Sequence, residues 1–225
     1  MELSENTLTT LKNFSSINPN MMIRSGKTIK TISEARTVLA RANVDEEFPM
    51  DFGIYDLNEF MGVLGLVDAP RLKFEDDYVV VNDSTGRSKV KYFYSSEDTL
   101  TTPQKDITMP EANVKFTLDN DTMNKLKRAA STLGHSEISI SGKDGVLSLS
   151  VVDSQNMTSN AFSIDVDGEF PADATFNFIL STNNLKILPG DYEVQISSKL
   201  ITQFSHKSLD VKYWIALEKS STFGV

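Results

Sequence analysis

The pentapeptide EFPMD at Glu47–Asp51 returns as EFPAD at Glu169–Asp173, 122 residues further along the chain. Three other short segments repeat in the same order. TLTTLK at Thr7–Lys12 is repeated as TMNKLK at Thr122–Lys127, and Ser-Gly-Lys at Ser25–Lys27 is repeated at Ser141–Lys143. VKYFY at Val90–Tyr94 is repeated as VKYWI at Val211–Ile215. Their offsets drift only between 115 and 122 residues, as loop insertions produce. Four matches in one order indicate an internal duplication. The alternative is that they are chance matches between short segments that are common in strands and turns.

The duplication divides the chain into two predicted domains, residues 1–108 and 109–225. The stretch at about 95–112 is polar, contains Pro103 and Pro110 and has no steady period, so we predict that it connects the domains.

The order of predicted elements also repeats. Each half begins with an amphipathic helix, at residues 4–17 with Ser4 as its cap and at 121–133 with Asp119 as its cap and Gly134 at its end. Two strands follow in each half, and the repeated Ser-Gly-Lys predicts a hairpin turn between them. The predicted strands are Met21–Arg24 with Thr28–Ile32 and Glu137–Ser141 with Val146–Val152.

Two later segments are harder to assign. A second helix is predicted over residues 57–67, whereas the second half offers only the shorter stretch Thr182–Leu188 after the apolar strand Phe176–Leu180. Ser33–Val44 has helical propensity, but its counterpart Asp153–Asp165 is typical of a strand, so we predict a strand for both.

The composition is that of an ordinary folded protein, with 40% hydrophobic and 24% charged residues among 225. The formal net charge is −9, which at first sight argues against a nucleic-acid ligand. The absence of cysteine excludes disulfides, thiolate metal sites and cysteine nucleophiles. Because there is neither a leader-like N-terminus nor an apolar run of membrane length, we expect a protein of the cytosol with no membrane partner.

The usual signatures of catalysis are missing. RSGKT at Arg24–Thr28 ends like a phosphate-binding loop, but Met21 stands where that motif needs glycine. His135 and His206 have no nearby histidine, and no Gly-x-Ser-x-Gly elbow is present. The sequence therefore predicts no catalytic residue, no metal site and no cofactor, which disfavours a hydrolase.

Cations lie on the polar faces of the predicted helices. The four helical segments (4–17, 57–67, 121–133 and 182–188) hold five cations and three anions, while the rest of the chain carries a net charge of −11. An ordinary solvated helix face would also explain this pattern. The five cations are Lys12, Lys125, Lys127, Arg128 and Lys186.

Several sequence segments, spread over the whole chain, resemble those of DNA sliding clamps, which are polymerase processivity factors. The resemblance is strongest to the sliding clamps of T-even-type phages. The segments are SENTLTTLKNFSSIN near the start, DFGIYDLNEFMGVLGLV at Asp51–Val67, ATFNFILSTNNLKILPGDYEV at Ala174–Val194 and YWIALEKSST at Tyr213–Thr222. The resemblance implies an α+β clamp fold with two similar domains, each with helices on one face of antiparallel sheets. It also implies a closed homotrimeric ring with the helices lining the hole.

The resemblance further implies partners and sites. The partners are duplex DNA, bound without regard to sequence, the replicative DNA polymerase and a clamp loader. The five helix cations would face DNA, although the helix at 57–67 departs from the pattern in having no cation.

Ring closure would pair edge strands at about Lys89–Ser95 and Thr158–Asp165, with Tyr92, Tyr94, Phe162 and Ile164 as apolar contacts. The polymerase peptide would bind near the connector, at Leu100, Ile107, Met109 and Leu217.

One alternative from another class stays open at this point. A duplicated β-rich phage structural protein, from a tail or capsid, would explain the repeat and the acidity but not the cationic helix faces.

Overall fold

The computed structural model describes residues 1–156 and 158–224. The chain divides into two compact units, Met1–Asp106 and Ile107–Val225. The boundary lies inside the predicted connector, which has no helix or strand between residues 100 and 113.

Unit 1 combines two helices with short antiparallel strands. Strand β1 pairs with β4, β2 with β3, and β5, β6 and β7 form a sheet in that order. The elements are α1 (Glu5–Ile17), β1 (Met21–Ile23), β2 (Gly26–Ile32), β3 (Val38–Phe48), β4 (Phe52–Ile54), α2 (Leu57–Leu64), β5 (Arg71–Phe74), β6 (Tyr78–Asn82) and β7 (Lys89–Phe93).

Unit 2 is built from one helix and two antiparallel sheets. One sheet has the order β11-β10-β9-β13-β17, and the other contains β12-β8-β14-β15-β16. The elements are β8 (Val114–Leu118), α3 (Asn120–Leu133), β9 (Glu137–Lys143), β10 (Val146–Val152), β11 (Phe162–Val166), β12 (Gly168–Glu169), β13 (Thr175–Ser181), β14 (Tyr192–Ser197), β15 (Ile201–His206), β16 (Val211–Ala216) and β17 (Thr222–Gly224).

Matching apolar stripes hold helices α1 and α3 in place. Leu11 and Phe14 of α1 are fully buried, and α1 packs on β3 and α2. Met123 and Leu126 of α3 are buried in the same way, and α3 packs on β10. Burying one face at a spacing of three to four residues leaves the opposite face to solvent, so the fold itself exposes the polar side of each helix.

The predicted helix caps are confirmed. Ser4 accepts a hydrogen bond from the Thr7 N–H at 3.2 Å, and Asp119 accepts one from the Thr122 N–H at 2.7 Å. Gly134 ends α3 with a φ of +70°, a left-handed conformation that glycine adopts without a steric cost.

The prediction of a second helix in unit 2 is wrong. Residues Thr182–Asn184 form a single 3-10 turn, and Leu185, Ile187 and Leu188 are buried in irregular chain. The stretch follows β13 directly and contains two asparagines, which favour turns over helix. Helix α2 is also shorter than predicted, because it ends at Gly65.

The strand prediction for Ser33–Val44 is confirmed only from Val38 onwards. Residues Ser33–Thr37 form a tight turn in which the Ser33 hydroxyl accepts hydrogen bonds from the Thr37 and Val38 N–H groups, each at 3.1 Å. The helical propensity of this segment is overridden by the pairing of β3 with β2.

The predicted hairpin is confirmed in unit 2, where β9 and β10 pair, and is wrong in unit 1, and Ser-Gly-Lys makes the turn in neither unit. In unit 1, β1 and β2 are consecutive, but each pairs with a different strand. In unit 2, Gly142 lies inside β9, and the turn to β10 is made by Asp144 and Gly145, with φ of +52° and +79°. Strand β8 was not predicted, although it alternates buried and exposed residues.

Candidate functional site

The exposed face of α3 carries a shallow concavity of about 550 Å³ that is lined by polar and charged residues. Its lining residues are Asp121, Asn124, Lys127, Arg128 and Ser131. Among the described residues Lys127 and Arg128 form no ion pair, so both charges are available to an anion. Loss of hydration beside the helix lowers the pKa of Lys127 from its usual value, while its side chain stays exposed.

Lys125 differs from these two cations because it has a carboxylate partner. Its Nζ lies 2.7 Å from Asp121 Oδ2, one helical turn away. Both side chains are exposed, so the pair contributes little to stability, but it offsets much of the Lys125 charge. Asn124 and Ser131 were missed by the sequence reasoning, although they share a helical face with Lys127 and Arg128.

The remaining predicted cations occupy different settings. Lys12 is exposed on α1, at the repeat position that matches Lys127. Lys186 is exposed as well, but the expectation that it lies on a helix is wrong, because the 3-10 turn ends at Asn184. Helix α2 contains no cation, as its sequence LNEFMGVL shows. The helical positive charge of this chain is therefore concentrated on α3.

The two segments predicted as ring edges contain the terminal strands of two sheets. Strand β7 ends the sheet β5-β6-β7, and β11 ends the sheet β11-β10-β9-β13-β17. The first four residues of the predicted second edge, Thr158–Ala161, lie outside the strand, which begins at Phe162. Each strand has five residues, and within the described part of the chain each has a strand partner on one side.

The predicted apolar contacts lie on the inward faces of these strands. Tyr92 is buried, since its ring packs on Phe60 at 5.2 Å and its hydroxyl donates to the Asp56 carbonyl at 3.3 Å. Tyr94 packs on Phe52 at 5.3 Å, and burial raises the pKa of Tyr94 to about 12. Phe162 and Ile164 are half-buried on β11.

On the predicted edge strands, the sequence also failed to identify Phe93 as an exposed residue. It is 65% exposed, on the opposite face of β7 from Tyr92, together with Lys89 and Lys91. Its position could have been found from strand alternation, because every second residue of VKYFY points to the same face.

The residues predicted for a peptide pocket differ in burial. Leu100 is buried in unit 1 and Leu217 in unit 2, where the Leu217 N–H donates to the Leu200 carbonyl. Ile107 and Met109 are half-buried in the irregular connector. The pocket itself stays a prediction.

The first part of the connector is fixed to unit 1 by polar contacts. Arg24 forms ion pairs with Glu97 and, at 3.0 Å, with Asp51, and these two carboxylates raise the pKa of the guanidinium. Lys30 pairs with Asp106 and lowers the pKa of that carboxyl. The segment that leads to Ile107 therefore begins from an ordered position.

The histidines and carboxylates form no metal site within residues 1–156 and 158–224, where no group of three or more such ligands is found. His206 Nδ1 accepts hydrogen bonds from the Ser208 and Leu209 N–H groups, each at 3.1 Å, so this side chain shapes a turn. In the same described part of the chain, no helix is long and apolar enough to cross a membrane.

Comparison with protein families assigns each half separately. Residues 4–101 match the family model described as DNA polymerase processivity factor, and residues 115–219 match the model described as gp45 sliding clamp, C terminal.

Curated relatives cover almost the whole chain. The sliding clamp of Vibrio phage KVP40 is 33% identical over 97% of this chain and 99% of its own length. The sliding clamps of Escherichia phage RB69 and Enterobacteria phage T4 are 32% and 31% identical, each over 99% of both proteins.

Solved structures share the fold at low sequence identity. The proliferating cellular nuclear antigen of Entamoeba histolytica has a TM-score of 0.68 at 16% identity and covers 94% of each chain. A chain of the PCNA2–PCNA3 complex from Sulfolobus tokodaii has a TM-score of 0.66 at 14% identity, over 94% of this chain and 95% of that one. The predicted α+β clamp fold with two similar domains is therefore confirmed, and nothing supports the alternative of a tail or capsid protein.

Proposed function

The chain belongs to the sliding-clamp family of DNA polymerase processivity factors, and from this premise we propose that three copies close head to tail into a ring around duplex DNA. The ring holds the replicative DNA polymerase on its template. A closed ring cannot leave a duplex sideways, so processivity requires neither tight nor sequence-specific contacts with DNA.

The observation that carries this proposal is the pair of terminal strands, one in each unit. A chain with one free edge at β7 and another at β11 can pair the first with the second of a neighbouring copy. Such contacts are heterologous, and they close into a ring when the rotation per copy permits. With two similar units in each chain, three copies supply six units around the hole. Closure also covers edges that would otherwise promote aggregation.

The cations of α3 supply the contact with DNA. Lys127 and Arg128 make point-charge contacts with phosphates, which are independent of sequence and weaken with salt. Asn124 and Ser131 add hydrogen-bond donors to the same surface. We assign a smaller role to Lys125 because of its pairing with Asp121, while Lys12 and Lys186 extend the positive lining.

The acidity of the rest of the chain restricts how DNA is reached. At physiological ionic strength the Debye length is about 8 Å, so the charges outside the ring are screened from a duplex in the hole. The same charges repel DNA that approaches the outer surface. The clamp therefore depends on a loader to place it on DNA, inside the host cell where the phage genome replicates.

We propose that the polymerase is held through a short peptide near the connector, with the half-buried Ile107 and Met109 as its contacts. Leu100 and Leu217 are buried in their own units and present no surface to such a peptide. Apolar side chains next to an ordered connector suit an apolar peptide, and the pairing of Lys30 with Asp106 fixes the approach to Ile107. We assign no catalytic residue, cofactor or metal to the chain, whose role is mechanical.

The first experiment measures the mass of the particle and its retention on DNA. Light scattering at micromolar concentration is expected to give the mass of three chains. Clamps loaded on circular DNA are expected to remain bound and to slide off once the DNA is cut. A mass of one chain, or equal retention on circular and linear DNA, contradicts the proposal.

A second experiment tests the α3 surface. Lys127→Glu with Arg128→Glu is expected to leave the trimer mass unchanged and to reduce the yield of clamps loaded on circular DNA roughly tenfold, because six cations per ring become anions. The matched control is Lys207→Glu with Lys212→Glu, which makes the same charge change at exposed positions at the end of β15 and on β16. Equal losses from the two double variants would remove the assignment of α3 to DNA.

A further inference from the structure

The backbone groups on the free edge of β7 belong to its odd-numbered residues. The Tyr94 N–H donates to the Asp77 carbonyl, toward β6, so even-numbered residues point their backbone groups inward. The Ser95 N–H donates in the opposite direction, to the Gly53 carbonyl. Because hydrogen-bonding direction alternates along a strand, Lys89, Lys91 and Phe93 present their N–H and C=O groups to the free edge.

Strand β11 has the same parity. The two-residue turn at Asp144–Gly145 makes Lys143 and Val146 a hydrogen-bonded pair, so even-numbered residues of β10 face β9. Odd-numbered residues of β10 therefore face β11, where Leu149 is opposite Ile164. It follows that Ser163 and Asp165, with Asp167 just beyond the strand, present their backbone groups outward.

The side chains of the two edges are complementary in charge. On β7 the exposed face carries Lys89 and Lys91, followed by Phe93. On β11 the exposed side chains are Ser163 and Asp165, and Asp167 follows at the same spacing. The less exposed faces carry apolar residues at matching intervals, namely Val90, Tyr92 and Tyr94 on one strand and Phe162, Ile164 and Val166 on the other.

We propose that β7 of one copy pairs antiparallel with β11 of the next, in the register that places Lys91 opposite Asp165 and Lys89 opposite Asp167. This inference rests on the proposed ring. The same register places Val90 opposite Val166, Tyr92 opposite Ile164 and Tyr94 opposite Phe162, so the apolar faces also match. Both requirements, backbone parity and side-chain face, are satisfied at once.

Neighbouring registers satisfy fewer of these requirements. A shift of two residues in one direction keeps Lys89 opposite Asp165 but places Lys91 opposite Ser163. Asp167 then lies opposite Arg87, which is in the turn before β7, and the apolar Val166 lies opposite Ser88. The opposite shift places the Phe93 ring opposite the Asp165 carboxylate and brings Ser95, whose outer edge is already bonded to Gly53, into the pairing. A parallel arrangement can align Lys89 with Asp165 and Lys91 with Asp167. It then places Tyr92 opposite Gly168, beyond the end of β11, so the apolar faces no longer match.

Disulfide scanning tests the register directly, because the chain contains no cysteine. Val90→Cys with Val166→Cys leaves all four charges in place and joins positions expected about 4.5 Å apart between Cα atoms. After oxidation, denaturing non-reducing gels are expected to show covalently joined dimers and trimers as the main products. The matched control, Val90→Cys with Ile164→Cys, is shifted by two residues and is expected to crosslink at least tenfold more slowly.

The outcomes separate the register from the proposed function. Faster crosslinking of the control, with a reduced particle that still has the mass of three chains, overturns the register and leaves the ring intact. A wild-type mass of one chain overturns the ring itself.

Charge exchange gives a second readout that does not depend on disulfide geometry. Lys91→Asp and Asp165→Lys, each alone, are expected to raise the concentration at which the ring dissociates about tenfold. The two together are expected to return it to within about threefold of wild type. Lys91 also lies over the Tyr78 ring, 4.6 Å from its centroid, so the single variant could act within one chain. Restoration by Asp165→Lys, and not by Asp167→Lys, identifies a contact between copies; equal restoration by both would contradict the register.

Discussion

The two units begin alike and then diverge. Helices α1 and α3 have equivalent buried leucines, Leu11 and Leu126, 115 residues apart. After the buried strand β4, unit 1 forms the apolar helix α2, whereas after the strand β13 unit 2 forms a 3-10 turn. The positive charge is also unequal, because α3 carries three cations and α1 carries one. A duplicated core thus constrains the fold while leaving the exposed surface free to specialise.

The repeated Ser-Gly-Lys shows the same divergence at one residue. Gly26 begins β2 with a φ of +104° and open space around it. Gly142 lies inside β9, where an added Cβ would come within 2.2 Å of the Phe176 ring. Gly26 is required by its backbone conformation and Gly142 by the packing of the Phe176 ring. The same three-residue segment is therefore kept for a different physical reason in each half.

The largest predicted effect tests the equivalence of the two helices. Leu11→Ala and Leu126→Ala each remove a side chain at most 1% exposed, and each is expected to lower the free energy of unfolding by about 2–5 kcal/mol. Urea denaturation followed by circular dichroism measures the loss. Leu66→Ala, at a position that is 71% exposed, is the control and is expected to change it by less than about 0.5 kcal/mol. A loss in one unit alone would show that the cores are not equivalent.

Sequence reasoning was most accurate where the core repeats. The buried faces and caps of α1 and α3 follow from local spacing and cap chemistry, and the structure agrees. The hairpin predicted from Ser-Gly-Lys failed in unit 1 because strand pairing is a long-range property that a three-residue segment does not encode. Sequence reasoning also missed Phe93 as the exposed aromatic residue of β7, because apolar character was considered without the strand alternation that separates Phe93 from the buried Tyr92.

A smaller effect is expected at the two glycines. Gly142→Ala is expected to cost about 1–3 kcal/mol of unfolding free energy, because the new methyl group must displace the Phe176 ring from a packed core. Gly26→Ala is expected to cost about 1 kcal/mol, since its left-handed backbone is strained for an L-residue while nothing obstructs the side chain. Thermal unfolding of the pair gives the comparison. If Phe176→Leu in the Gly142→Ala background restores no stability, the steric explanation is wrong.

The smallest effect distinguishes the two helix caps by their titration. Asp119→Ala is expected to cost about 1 kcal/mol at pH 7, as Ser4→Ala does in unit 1. The hydrogen bond from the Thr122 N–H holds the pKa of Asp119 below its usual value, so its contribution is present above the pKa of the unfolded chain. That contribution is lost as the pH falls through the lower pKa of the folded state. The difference in unfolding free energy between wild type and Asp119→Ala, measured by urea denaturation, should therefore shrink below about pH 4.

Asp119→Asn is the control, because it keeps an oxygen acceptor without a titrating proton. Its difference in unfolding free energy from Asp119→Ala should persist in acid. A deficit of Asp119→Ala relative to wild type that is unchanged at pH 3 would mean that the Asp119 charge contributes nothing to the cap.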